Sequence, residues 1–186
     1  MKVSESSSFV PSRTIVLVGM MGVGKSSVGR KLALRLGLPF FDSDTEIEVA
    51  AGMSVAEFFE FYGEAEFRKG ERRVIARLME GPPHVLSVGG GSYMDADTRK
   101  LITEKSVSVW LRADPDLLLE RALRRGTRPL LQVTDPSARI RQLLVEREPI
   151  YGQADIIVES DDHPVDETVE RVLKALKIFF EAHAAT

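Results

Sequence analysis

A short apolar run followed at once by a glycine-rich loop and an amphipathic stretch constrains this chain more than any other feature. Residues 14–18 read Thr-Ile-Val-Leu-Val, a β-branched run that predicts a buried strand. Residues 19–26 follow as Gly-Met-Met-Gly-Val-Gly-Lys-Ser, the pattern G-x-x-x-x-G-K-[ST]. Val28, Leu32 and Leu36 then recur at helical spacing up to Gly37, a C-cap residue. Strand, loop and helix in this order build an anion site. Gly22 and Gly24 let the backbone take positive φ and approach a ligand closely. The loop turns its N–H groups inward, and the helix N-terminus adds partial positive charge. In this pattern Lys25 reaches terminal phosphates and the Ser26 hydroxyl holds Mg²⁺.

The order of the remaining elements sets the fold class. Strands are expected at 39–42, 84–88, 106–111 and 155–158. Helices are expected at 44–51, 64–79, 97–104, 114–125, 135–148 and after Pro164. Ser54-x-x-Glu57 is a capping box, Gly63 interrupts, and Gly81-Pro82-Pro83 is a stop. Alternating strands and helices predict a parallel sheet covered on both faces, a three-layer α/β/α domain. Ligands of such sheets bind beyond the carboxyl ends of the strands. The glycine loop, Asp42 and Gly89-Gly90-Gly91 all fall at such ends. A single domain over 13–180 is expected, between an N-terminal disordered tail (1–12) and a C-terminal tail (181–186).

Charge and composition narrow the class. With 25 basic and 28 acidic residues the formal charge is −3, which argues against a nucleic-acid surface. There is no cysteine, hence no disulfide and no thiolate site. No apolar run reaches membrane-span length. The serine-rich start lacks the basic and apolar segments of a secretory signal, so a cytoplasmic protein is expected. The histidines, His84, His163 and His183, show no metal-ligand spacing, and Trp110 sits in an apolar strand that reads as core.

Three further groups bear on chemistry. In Asp42-Ser43-Asp44 the two carboxylates share a face if the backbone stays extended. They serve a metal and an acceptor hydroxyl, or they are a strand end and a helix N-cap. Three consecutive glycines carry an entropic cost that close ligand approach explains, although a flexible loop is the alternative. Arg121, Arg124, Arg125 and Arg128 crowd an otherwise acidic chain. Arg128, between two helices, is placed to close over phosphates, whereas the rest can be a solvated face. Arg68 and Arg147 are candidates for a bidentate grip on a carboxylate. Glu71, one turn from Arg68, either holds that arginine or forms an exposed pair with it.

Together these segments resemble the shikimate kinases, relatives of the nucleoside monophosphate kinases. The resemblance is carried by residues 19–29, by Phe-Phe-Asp-Ser-Asp at 40–44, by Phe67-Arg68 and by Gly89-Gly90-Gly91. Arg-Pro-Leu-Leu at 128–131 and Arg-Glu-Pro-Ile-Tyr at 147–151 complete it. It implies a five-stranded parallel sheet in the order 2-3-1-4-5. It also implies transfer of the γ-phosphoryl group of ATP to the 3-hydroxyl of shikimate, within the chorismate route to aromatic amino acids. Carried onto this chain, Gly22, Val23, Gly24, Lys25, Ser26 and Ser27 bind ATP, while Ser26 ligates one Mg²⁺ per subunit and Asp42 reaches it through water. Asp44 orients or deprotonates the attacking hydroxyl. Arg68, Arg147 and the Gly90 N–H bind shikimate, using substrate-binding helices at about 44–79. Lys25 and Arg128 act with Asp44 in catalysis, Arg128 from a lid at about 124–135. Either Arg124 or Arg125 lies over the adenine, and the adenine loop falls at 160–164, with a contact at Pro164. A monomer is expected, with shikimate and ATP as its only partners. A gluconate kinase is the nearest alternative. A GTPase-like switch lacks its Asn-Lys-x-Asp element here.

Overall fold

The computed structural model describes residues 10–124 and 133–184. The chain runs β1 (Thr14–Val18), α1 (Lys25–Leu36), β2 (Phe40–Asp42), α2 (Ser43–Ala51), α3 (Val55–Met79) and β3 (Val85–Ser87). A 3-10 turn, Ser92–Met94, precedes α4 (Ala96–Lys105) and β4 (Ser106–Arg112). Then come α5 (Pro115–Arg124), α6 (Pro136–Tyr151), β5 (Ile156–Glu159) and α7 (Val165–His183).

The five strands form one parallel sheet in the order β2-β3-β1-β4-β5. β1 lies at the centre and every residue in it is buried. This is why its sequence is apolar without alternation: helices cover both faces. Edge strand β5 alternates, with Ile156 and Val158 inward and Ile157 and Glu159 outward. The register pairs Leu17 with Ser87 and Val18 with Trp110. The loops after β1, β2 and β3 therefore open on one edge of the sheet.

The main core joins β1, β3 and β4 to the inner faces of α1, α5, α6 and α7. Trp110 belongs to it, as expected. A smaller cluster of Ile47, Phe67 and Val74 lies between α2 and α3, with Phe58 and Phe59 packed on it. The second helix pair is thus held by its own apolar contacts. Ser54 and Glu57 form the expected capping box. Gly63, at φ 76° and ψ 173°, kinks α3 where the interruption was expected.

Several boundaries differ from expectation. α6 passes through Pro149 and ends at Tyr151 rather than near 148. The lost N–H of a helical proline is destabilising, but Tyr151 is fully buried and Ile150 packs on the core. α7 continues through His183, into the stretch expected as a tail from 181. Phe179 and Phe180 pack on the core there, and the His183 ring stacks on Phe179. β3 is shorter than expected, and the 3-10 turn after the glycines was not foreseen. No helix among the described residues is long and apolar enough to cross a membrane.

Candidate active site

The glycine loop after β1 wraps the start of α1. Gly24 is the N-cap of that helix at φ 99°, and Gly22 has φ 81°. Neither value suits a residue with a Cβ. A Cβ at Gly22 would also lie 2.9 Å from the Leu118 carbonyl oxygen, so the loop packs tightly on α5. Lys25 folds back over the loop, its Nζ donating to Gly19 O at 2.7 Å and Met20 O at 3.0 Å.

Ser26 Oγ donates to Asp42 Oδ2 at 2.7 Å. The other Asp42 oxygen accepts from the Asp44 amide at 3.1 Å and caps α2. Of the two readings of Asp42, the helix cap is the one observed, and the same carboxylate also faces the loop hydroxyl. Among the described residues no group of three acidic or imidazole side chains gathers around an ion. A hydroxyl and one carboxylate, both hard oxygen donors, fit Mg²⁺ instead. That ion is commonly held by one or two protein oxygens, with water and substrate phosphates completing its shell.

The three glycines after β3 form the floor on which the other site residues meet. A Cβ at Gly89 would come 3.2 Å from Asp44 Oδ1 and 3.3 Å from Glu71 Oε1. A Cβ at Gly90 would come 3.4 Å from Arg147 Nη1 and equally close to the Met21 amide. A Cβ at Gly91 would collide with the Arg68 guanidinium. Each glycine therefore makes room for polar groups, and the triplet brings Asp44, Arg68 and Arg147 together beside the phosphate loop. The floor is anchored by Ser43 Oγ, which accepts from the Gly89 amide at 3.2 Å.

Arg68 reaches this floor because Glu71 holds it. Its Nη1 donates to Glu71 Oε2 at 2.5 Å, and Glu71 is only 1% exposed. The second Glu71 oxygen accepts from Ser92 Oγ, which ties α3 to the turn after the glycines. Of the two readings of this pair, the buried support is the one observed. The i, i+3 spacing pointed to the contact, but only the fold buries it.

A cavity of about 60 Å³ lies over this ground, lined by Gly22, Lys25, Ser26, Asp42, Asp44 and Gly90 among others. A second cavity, of about 230 Å³, opens on the far side of the loop. Val23, Ser27, Arg121, Arg124, Ser160 and His163 are among its lining residues. Arg121 donates from Nη1 to Val23 O at 3.3 Å and to Ser160 Oγ at 3.2 Å, bracing the loop against the end of β5. Asp161 borders it. Burial works against its charge, but hydrogen bonds from Arg171 and from the His163 amide and ring hold its carboxyl down at about 2.

Sequence reasoning missed Ser92, which nothing local marks, and did not single out Arg121 from its neighbours. It met Tyr151 only as the end of the segment 147–151 and Ser160 only as the start of the expected adenine loop, and gave neither a role of its own. Of the adenine candidates, Arg124 lines the larger cavity, and Pro164 does not, although its neighbours His163 and Val165 do. Arg125, Arg128 and most of the expected lid lie outside the described residues.

Comparison with known proteins identifies the family. The family model for shikimate kinase matches residues 21–177. A shikimate kinase of Bradyrhizobium diazoefficiens is 55% identical over 166 residues, covering 89% of this chain and 80% of that one. A solved shikimate kinase from Acinetobacter baumannii in complex with shikimate superposes with a TM-score of 0.85. It is 37% identical and covers 88% of this chain and 92% of its own. A gluconokinase structure from Sinorhizobium meliloti shares the fold at TM-score 0.62, with 94% and 100% coverage, but is only 21% identical. The chain belongs to the shikimate kinase family and is an ATP-dependent small-molecule kinase of that family.

Proposed function

We propose that this chain transfers the γ-phosphoryl group of ATP to the 3-hydroxyl of shikimate, giving shikimate 3-phosphate and ADP, with the residues gathered on the glycine floor. The observation that carries the reading is the meeting of Asp44, Arg68 and Arg147 on Gly89-Gly90-Gly91 beside the phosphate loop. Shikimate is a hydroxylated ring carboxylate. Two guanidinium groups suit its carboxylate, while a carboxylate and a glycine amide suit its hydroxyls.

The loop amides from Gly22 to Ser27 cradle the ATP phosphates at the head of α1. Lys25 exchanges its carbonyl partners for the β- and γ-phosphates. Ser26 and Asp42 would hold one Mg²⁺, which when bound would neutralise charge on the phosphates. Asp44 accepts a hydrogen bond from the 3-hydroxyl and aims its oxygen at the γ-phosphorus. As the O–P bond forms and the bond to ADP breaks, the hydroxyl proton passes to Asp44. Arg68 and Arg147 fix the ring by its carboxylate, and the Gly90 N–H takes a further oxygen. Placement of this kind supplies much of the rate in phosphoryl transfer. Arg128 closes over the transferring group from the lid.

The base of ATP occupies the larger cavity, with Arg124 against it. The enzyme works as a monomer in the cytoplasm, with residues 13–180 as one domain. Both substrates are small soluble anions, and every group named above comes from one chain.

The test is a coupled ADP-release assay with shikimate, gluconate and nucleoside monophosphates as acceptors. Turnover with shikimate alone is expected. Equal or greater kcat/KM with gluconate contradicts the assignment.

A further inference from the structure

The glycine floor is held from below by a side chain that the transfer chemistry does not use. Tyr151, the last residue of α6, is fully buried. Its ring lies 6.5 Å from that of Tyr93 at an angle of 19°, and 5.8 Å from that of Trp110. Its hydroxyl donates to the Gly90 carbonyl oxygen. One turn earlier on the same helix, Arg147 lies beside the same glycine. Residues four apart on a helix share a face. Burial pushes the phenol up despite the pull of Arg147 and Arg68, so the group remains an O–H donor near neutral pH.

Three glycines have no side chains to set their own conformation. An anchor from outside the triplet must do so. The Gly90 N–H and the Gly90 carbonyl are separated by only two backbone dihedrals, so a carbonyl fixed toward Tyr151 narrows the directions that the Gly90 N–H can take. One hydroxyl thereby ties the floor to the helix turn that carries Arg147.

We propose that Tyr151 is a positioning residue for the acceptor subsite, its hydroxyl fixing the Gly90 peptide and the Arg147 guanidinium relative to each other. The inference rests on the assignment of Arg147 and Gly90 to shikimate binding. Tyr151 touches neither substrate and acts only through these two groups.

The test is calorimetric titration of Tyr151→Phe, which keeps the ring and its stacking and removes one hydroxyl. Shikimate Kd is expected to rise about two- to tenfold, the effect of one net hydrogen bond, while ATP Kd changes little. The increase should disappear when Tyr151→Phe is made in an Arg147→Ala background, because the two groups act as a unit. Tyr93→Phe removes the hydroxyl of the stacked neighbour, which makes no bond to Gly90, and should leave shikimate Kd unchanged. An unchanged shikimate Kd in Tyr151→Phe, an equal loss of ATP affinity, or additive effects with Arg147→Ala overturns the proposal. If Arg147→Ala alone leaves shikimate Kd unchanged, the site assignment falls with it. If Arg147→Ala weakens binding and Tyr151→Phe does not, only the role of Tyr151 falls. Should the phenylalanine variant not fold, a ring-fluorinated tyrosine at 151 keeps the shape and lowers the phenol pKa. Shikimate affinity should then fall as pH rises and the donor is lost, and a pH-independent affinity overturns the proposal.

Discussion

Asp44 sits where two demands meet. Its amide is used to begin α2 through the Asp42 cap, while its carboxylate faces Gly89 and the small cavity. Substituting Asp44→Asn keeps the size and the amide, so the fold and the loop that binds ATP should be untouched. What goes is the negative charge that takes the hydroxyl proton. We expect kcat to fall by about 10²-fold or more, the usual contribution of a positioned base, with ATP Kd unchanged by calorimetry. Turnover near the wild-type rate would remove Asp44 from the chemistry. At this scale much of the site was legible from sequence. Gly22, Gly24 and Lys25 stand in a pattern whose spacing is dictated by the phosphate cradle, and Asp42 and Asp44 follow a strand end. Tyr151 and Ser92 were not legible, because their partners lie 61 and 21 residues away and only the folded sheet brings them together. Glu71 lay between: the helical spacing to Arg68 was visible, and its burial was not.

Among the elements, α3 is the one whose shape the site depends on most. Its second half carries Arg68 and Glu71 to the glycine floor, while its first half carries Phe58 and Phe59 onto Phe67. Gly63 lets the two halves differ in direction. The sequence showed this break, since glycine within an apolar helical pattern is a recognised interruption. It did not show that α6 runs through Pro149. There burial of Tyr151 outweighs the local signal, a tertiary effect that propensity does not contain. With φ 76° and ψ 173°, Gly63 occupies a region open almost only to glycine. Gly63→Ala should therefore lower stability by about 1–3 kcal/mol, measured by urea unfolding. No neighbouring atom lies within 4 Å of the added Cβ position, so the loss would be conformational and not a clash. A variant as stable as the wild type would show that the kink is not required.

For the molecule as a whole, the far edge of the sheet, where β5 turns into α7, is a joint held by charged groups as well as by the core. That helix is fastened to α1 by Lys31–Asp166 and Arg35–Glu170, both exposed pairs of small individual value. The turn itself is fastened by Asp161, which Arg171 and His163 bind. Its folded pKa of about 2 lies below the ordinary 3.8. A depressed carboxyl pKa stabilises the fold fully above the unfolded value, and that contribution is lost as pH falls through the folded one. The stability difference between wild type and Asp161→Asn should therefore be constant near neutral pH. It should shrink below about pH 3.8 and vanish only below about pH 2. Asp161 is partly exposed, so salt should reduce the difference throughout. Urea unfolding of both proteins across this range is the measurement. A gap that persists undiminished at the acid end would mean that Asp161 holds the turn by its shape and not by its charge.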